Sequence, residues 1–136
     1  MTHVDQAMLA DPASFAINRR GAHSDHRWYA SRAEADAGRS SFETCLDGVW
    51  KYFHAHSPAG VPVGLESPQT DISAWDDVVV PGHIQLAGYD RPQYVNVQYP
   101  WDGHEDIAPG DVPTEFNPVS TYATDALFPA ARPGSS

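Results

Sequence analysis

The amino-acid sequence predicts an all-β fold, and two observations support this prediction. Short runs of β-branched and aromatic residues are each closed by a proline or a glycine, which is typical of the strands of a sheet. The 136 residues include 12 Pro and 10 Gly, so few long apolar runs remain. Much of the chain must then be loop or sheet edge. We therefore expect a few short strands around a thin core.

Residues 1–40 are predicted to form a long amino-terminal arm. Gln6 to Leu9 fits a brief helical turn that ends at Asp11-Pro12, because the residue before a proline avoids helical backbone angles. Phe15 to Arg20 is expected to be extended. The Ala-rich stretch from Ala30 to Gly38 suits one or two helical turns on the surface, closed by the glycine.

Three segments carry strand signals, and a fourth is weaker. The first is Leu46 to Phe53, in which Gly48 indicates a bulge or the close approach of another backbone. The second is Asp77 to Val80, which is followed by a Pro-Gly pair. The third is Tyr94 to Tyr99, which is followed by a proline, and a strand fragment is expected near Thr121 to Thr124.

The last eleven residues have a different composition. Ala, Arg, Pro and Gly dominate residues 126–136, a composition that predicts a disordered or out-of-frame tail. We expect the authentic sequence to stop near Asp125, as in a truncated or frameshifted product.

The charge and the cysteine count exclude several classes of partner. The formal net charge is -10, from 18 acidic and 8 basic residues. This negative charge repels nucleic acid and anionic membranes but not a neutral sugar. Cys45 is the only cysteine, so an intramolecular disulfide is excluded, and we expect its side chain to be buried. No amino-terminal stretch has the apolar character of a signal peptide. We therefore expect no nucleic-acid or membrane partner and a cytoplasmic location.

Two polar clusters and the residues of the first strand have alternative interpretations. The cluster His23, Asp25 and His26 and the loop residues Asp102, His104, Glu105 and Asp106 could hold a metal ion, although solvated side chains suit both loops better. Trp50 could stack on a sugar, but its apolar neighbours favour core packing. His54 and His56 are expected to face solvent.

The stretch from Asp76 to Pro100 carries a resemblance to a known family. Its pattern V-V-V-P-x-x-x-Q-x-x-G-Y-D-x-P-x-Y-x-N-V-x-Y-P resembles the amino-terminal sugar-binding jelly roll of family 2 glycoside hydrolases, specifically β-galactosidases. The matched positions are Val78, Val79, Val80, Pro81, Gln85, Gly88, Tyr89, Asp90, Pro92, Tyr94, Asn96, Val97, Tyr99 and Pro100. Leu46 to Tyr52 resembles the family's L-N-G-x-W-x-F strand, and Pro113 to Pro118 resembles its P-T-E-N-P segment. Gly82-His83-Ile84 departs from the S-N-W of well-known relatives.

The resemblance implies a fold and a candidate site. The fold would be an incomplete jelly-roll β-sandwich over residues 41–125, preceded by the arm and followed by the tail. Asn96, with Val97 beside it, would reach into the active site of a neighbouring barrel and bond galactosyl hydroxyls, since an amide both donates and accepts. The alternative is that Asn96 caps a bulge or bonds a nearby loop.

The same resemblance implies a function for a longer protein. That protein would hydrolyse terminal non-reducing β-D-galactosides such as lactose, using two glutamates on a separate downstream barrel, so no residue of this chain is expected to be catalytic. The parent family often uses Mg and Na, but we expect no cofactor or metal in this chain, in which only Asp11 lies near a matching position. Expected partners are the β-galactoside and the remainder of the enzyme or a partner subunit.

Two alternative functions stay open. The chain could be a stand-alone carbohydrate-binding module, or a fragment that complements a partner lacking this region, as the resemblance allows. A jelly roll needs about eight strands, whereas three strands and a fragment are predicted here. We therefore expect weak independent folding and no activity of the isolated chain on galactosides.

Overall fold

A computed structural model describes residues 6–17, 19–92, 96 and 98–127 of the chain. Its centre is one antiparallel sheet of three strands, β1 (Gly48–Ala55), β2 (Asp76–Val80) and β3 (Val119–Ala123), in the order β2-β1-β3. The strands match three of the predicted segments, because breakers or polar loops bound each run of β-branched and aromatic residues. The small antiparallel sheet and the scarcity of helix agree with the predicted all-β class. Within the described residues there is no second sheet, so the incomplete jelly-roll sandwich stays a prediction.

The register of the sheet sorts its side chains onto two faces. Trp50 pairs with Val78, and Tyr52 pairs with both Asp76 and Tyr122, so these residues share one face. The opposite face carries the cross-strand pair Val49 and Val79 together with Lys51, Phe53 and Ala55. On that face the Lys51 ammonium lies 2.9 Å from the Asp77 carboxylate across the strands.

The core of the described residues is small and lies mostly on the first face. Its buried hydrophobic residues are Tyr52, Ala55 and Val78, and the Tyr52 side chain is only 1% exposed. The ring of Tyr89, on the loop after β2, meets the Tyr52 ring edge-on with 4.5 Å between centroids. The thin core expected from the composition is therefore confirmed for this part of the chain.

The arm contains short helices instead of a continuous extended segment. The predicted turn at Gln6–Leu9 is a 3-10 helix, and a second 3-10 helix follows at Pro12–Ser14. The extended backbone predicted for Phe15 to Arg20 is therefore wrong at its start, where Phe15 to Ile17 form a turn. The Ala-rich stretch forms helix α1 (Arg32–Ala37), with Ser31 as N-cap and Gly38 as a left-handed C-cap at φ 65°.

Three further predictions need correction or fall partly outside the described residues. Gly48 begins β1 with a φ of 152°, and its pairing with Val80 continues the regular register, so no bulge occurs there. The prediction that Cys45 is buried is wrong, because Cys45 lies three residues before β1 begins and its side chain is exposed. Of the predicted strand Tyr94 to Tyr99, the positions Asn96, Gln98 and Tyr99 are not in a strand, and the other three lie outside the described residues.

The predicted tail lies mostly outside the described residues. Ala126 and Leu127 have no regular secondary structure, and residues 128–136 are not described. The disorder of residues 126–136 therefore stays a prediction. No helix in the described part of the chain has the length and apolar character needed to cross a bilayer.

Candidate functional site

The predicted sugar contact, Asn96, lies on a long loop between β2 and β3. We call residues 91–105 the Asn96 loop. Asn96 is exposed and occupies a bend, and it makes no hydrogen bond within the described residues. Both the sugar contact and the alternative, a cap on a bulge or a bond to a nearby loop, therefore stay predictions. Val97, the second predicted contact, lies outside the described residues.

The segment from Tyr99 to Glu105 is folded into consecutive turns. The Tyr99 amide donates to Asp102 Oδ2 (3.0 Å), and the Asp102 amide donates back to the Tyr99 carbonyl (3.0 Å). The Tyr99 and Trp101 rings stack almost in parallel, with centroids 5.0 Å apart. The Trp101 carbonyl accepts from the amides of His104 and Glu105, at 2.9 and 3.1 Å. A chain of local hydrogen bonds thus runs from Tyr99 to Glu105.

Glu105 joins the end of this loop to the segment that leads into β3. Its Oε1 accepts from the amide and the hydroxyl of Thr114, at 2.8 and 3.1 Å. Its Oε2 accepts from the amides of Glu115 and Phe116, at 3.0 and 2.9 Å. The hydrogen bonds from the Thr114 and Phe116 amides are the main reason that the Glu105 pKa falls to about 2, since each favours the charged carboxylate.

The two ends of the Asn96 loop also approach each other. The Arg91 guanidinium lies 3.3 Å from His104 Nε2. The His104 ring in turn stacks on Phe116, with centroids 3.9 Å apart and planes at 8°. Arg91, His104 and Phe116 therefore form a column that closes the loop at its base.

A second group of aromatic and polar side chains covers the first face of the sheet. The Tyr52 hydroxyl lies 2.8 Å from Ser120 Oγ and 3.3 Å from His54 Nδ1. His54 is half-buried against Tyr52 and Tyr89, so the prediction that it faces solvent is wrong. Alternation along β1 places it on the same face as Tyr52. His56, by contrast, is exposed as predicted.

Tyr89 links this covering loop to β2. Its hydroxyl donates to Asp76 Oδ2 at 2.6 Å, and this bond is the main reason that the Tyr89 pKa rises to about 12. Beside Tyr89 lies an open cleft of about 410 Å³, lined by aromatic and polar side chains that include Phe53, His54, Trp75, Asp76, Tyr89 and Asp90. Trp50 is half-buried, and its indole N–H donates to the Leu46 carbonyl at 2.8 Å, which agrees with a packing role.

A comparison with known protein families identifies the family of this chain. The sequence model of the family described as "Glycosyl hydrolases family 2, sugar binding domain" matches residues 43–132, about two thirds of the chain. The chain belongs to this family. The match includes all three strands and the whole Asn96 loop, and it runs seven residues beyond the predicted domain boundary at Asp125.

Curated relatives of this sugar-binding domain are much longer proteins. The β-galactosidase of Halalkalibacterium halodurans is 44% identical over 122 residues, which cover 89% of this chain and 12% of the relative. The β-galactosidase of Lactobacillus delbrueckii subsp. bulgaricus is 42% identical, with 87% and 12% covered. The β-galactosidase large subunit of Latilactobacillus sakei is 41% identical, with 91% and 22% covered. The chain thus spans 12% to 22% of the length of these relatives.

The described part of the domain does not fit the Mg and Na ions that the family resemblance implies. No group of three His, Cys, Asp or Glu side chains converges among the described residues. Asp11 uses its two oxygens within its own turn, where they accept from the Ala13 amide and the Ser14 hydroxyl, both at 2.9 Å. In the first proposed cluster, His23 Nε2 lies 3.5 Å from Asp25 Oδ1. In the second, the Glu105 carboxylate already accepts four hydrogen bonds from Thr114, Glu115 and Phe116.

Sequence reasoning missed the role of Glu105 and the closure by Arg91 and His104. The acidic loop was interpreted only as solvated residues or metal ligands, although Asp102-Gly103 is a common turn signal. A carboxylate that meets three consecutive backbone amides gives no local sequence signal. Its partners lie about ten residues away along the chain.

Proposed function

We propose that this chain is the sugar-binding domain of a β-galactosidase that hydrolyses terminal non-reducing β-D-galactosides such as lactose. The domain would comprise residues 41–125, with residues 1–40 as an arm over neighbouring domains. The observation that carries the proposal is the 44% identity to a β-galactosidase over 89% of the chain. The catalytic carboxylates would lie in the part of the parent enzyme beyond the aligned region, and the single cysteine agrees with a cytoplasmic location.

Within that enzyme, Asn96 would contact the galactosyl group and Val97 would lie beside it. An amide suits sugar hydroxyls because it offers both donors and an acceptor. The exposure of Asn96 and its lack of hydrogen bonds to other described residues support this role. A site built to bond a hydroxyl discriminates strongly against ligands that lack it.

The remainder of the enzyme, or a partner subunit, would cover the second face of the sheet. Val49 and Val79 are paired across β1 and β2, yet they are 64% and 69% exposed. Such adjacent apolar side chains are typical of a surface that another layer or domain covers.

A chimeric enzyme tests the proposal. The chain replaces the aligned region of the Halalkalibacterium halodurans β-galactosidase, and hydrolysis of a chromogenic galactoside is measured. We expect an active chimera, no turnover by the isolated chain, and a fall of roughly tenfold in kcat/KM for Asn96→Ala, the effect of losing one or two hydrogen bonds. Gln69→Ala, an exposed amide outside the Asn96 loop, serves as the control. An inactive but folded chimera, or an unchanged Asn96→Ala chimera, would contradict the proposal.

The cleft beside Tyr89 favours a second candidate function, that of a stand-alone carbohydrate-binding module. Its mixture of aromatic rings and polar side chains is common in ligand sites. Calorimetric titration of the isolated chain with galactose decides between the two functions. Saturable binding that Trp75→Ala abolishes supports the module, whereas no binding leaves the enzyme domain as the function.

A further inference from the structure

The position of the Asn96 amide depends on how the Asn96 loop is held. Asn96 is exposed, lies in a bend and makes no hydrogen bond to another residue that the structure describes. The nearest described anchor is Tyr99, three residues later, which is bonded to Asp102 in both directions. Because the turns from Tyr99 to Glu105 are hydrogen-bonded to one another, a shift of Glu105 should also move Tyr99.

Glu105 is in turn fixed to the sheet. Its carboxylate accepts hydrogen bonds from three consecutive amides, those of Thr114, Glu115 and Phe116, and from the Thr114 hydroxyl. Three residues after Phe116 the chain enters β3, which pairs with β1 from Val119 to Ala123. A charged acceptor that meets several amides makes stronger bonds than neutral pairs do. The hydrogen bonds of Glu105 therefore join the end of the Asn96 loop strongly to the segment that leads into β3.

We propose that Glu105 is a positioning residue that sets the place of Asn96 for its contact with the sugar. This inference rests on the proposed function, because it assigns to Glu105 the geometry of the galactosyl contact. The column of Arg91, His104 and Phe116 supports the same connection from the other end of the loop. The hydrogen bonds of Glu105 lower its pKa to about 2, so the carboxylate stays charged well below neutral pH.

The test uses the chimeric enzyme and two readouts. Hydrogen–deuterium exchange with mass spectrometry measures the amides of residues 91–105, and kcat/KM is measured for a chromogenic galactoside. Glu105→Gln keeps the shape of the side chain and removes its charge. We expect at least severalfold faster exchange in residues 91–105, unchanged exchange in β1, and a fall in kcat/KM of roughly fivefold to tenfold. Glu66→Gln, an exposed glutamate outside the loop, is the matched control.

A double-mutant cycle separates positioning from a general structural role. If Glu105 acts through Asn96, then Glu105→Gln changes kcat/KM little when Asn96 is already alanine. The same loss in both backgrounds, or unchanged exchange, would overturn the inference. If Asn96→Ala lowers kcat/KM and Glu105→Gln does not, the sugar contact stands and the positioning role is wrong. If Asn96→Ala has no effect, the proposed sugar contact is wrong and the positioning role falls with it.

A milder variant covers the case in which Glu105→Gln does not fold. Thr114→Val removes only the hydroxyl that bonds Glu105 Oε1 at 3.1 Å and keeps the three amides in place. We expect a smaller rise in exchange over residues 91–105 and a smaller fall in kcat/KM, again lost in the Asn96→Ala background. Unchanged exchange in Thr114→Val, with Glu105→Gln unfolded, would count against the inference.

Discussion

The hydroxyl of Tyr52 is the polar centre of the small core, and removing it tests the packing of the sheet. In Tyr52→Phe the ring stays against Tyr89 and Tyr122, whose centroids lie 4.5 and 4.9 Å away. The hydrogen bond to Ser120 Oγ at 2.8 Å and the weaker contact with His54 at 3.3 Å are both lost. Ser120 is exposed, so water can replace its lost partner.

The expected cost follows from these contacts. One neutral hydrogen bond contributes about 0.5–1.5 kcal/mol to the free energy of unfolding, and we expect about 1 kcal/mol because Ser120 is rehydrated. With a urea dependence of about 1–3 kcal/mol per molar, the midpoint of unfolding falls by roughly 0.3–1 M. Tyr52→Ala also removes the two ring contacts and should cost about 3–5 kcal/mol, enough to unfold a marginally stable chain.

Equilibrium unfolding in urea, followed by far-ultraviolet circular dichroism, measures this difference on the 136-residue chain. Tyr122→Phe is the matched control, since it also removes a hydroxyl from the aromatic cluster. The Tyr122 hydroxyl makes no hydrogen bond to other residues that the structure describes, and the residue is 41% exposed. An equal loss in both variants, or no loss in Tyr52→Phe, would refute the stabilising role of the hydrogen bond between Tyr52 and Ser120.

Three further predictions concern ionisation and folding. Glu105 should titrate near pH 2 by carbon-13 NMR. Because this pKa lies below the value of about 4.3 in an unfolded chain, its stabilisation is present above that pH and is lost as the pH falls towards 2; Glu105→Gln should remove this component. Tyr89 should ionise near pH 12 by absorbance at 295 nm. Its stabilisation should be lost as the pH rises from about 10 towards that value, and Asp76→Asn should lower the midpoint. Thermal unfolding of the isolated chain should be broad, and a sharp cooperative transition would contradict the expectation of weak independent folding.

The strands β1 and β2 were predictable because local signals define them, whereas β3 was expected only as a fragment near Thr121 to Thr124. The Val run of β2 and the aromatic run of β1 have few alternatives to a sheet, and the register between them follows from their alternation. The helix α1 was equally predictable, since Ser31, the alanines and Gly38 supply a start, a body and an end. The resemblance supplied what local signals could not, namely the family and the role proposed for Asn96.

The contacts between distant segments were not predictable from local pattern. His54 is polar and was expected in solvent, but its place on the Tyr52 face brings it against Tyr89, which lies 35 residues further along the chain. Tyr94 to Tyr99 has strand-forming residues, yet of the described positions Asn96 and Gln98 are bends and Tyr99 has no regular structure. A strand signal becomes a strand only when a partner pairs with it, which depends on tertiary context.

The position of the Asn96 loop depends on the stability of the sheet. The loop is joined through Glu105 to the segment before β3, and β3 is an edge strand that pairs with β1. Because Val49 and Val79 leave the second face of that sheet uncovered, the stability of the sheet depends on whatever layer covers this face. A change on that face should therefore reach Asn96 by way of β3 and Glu105, without any direct contact to the sugar. We therefore expect Val79→Asp in the chimeric enzyme to raise the KM for the galactoside. An unchanged KM in a folded variant would contradict this dependence of Asn96 on the second face of the sheet.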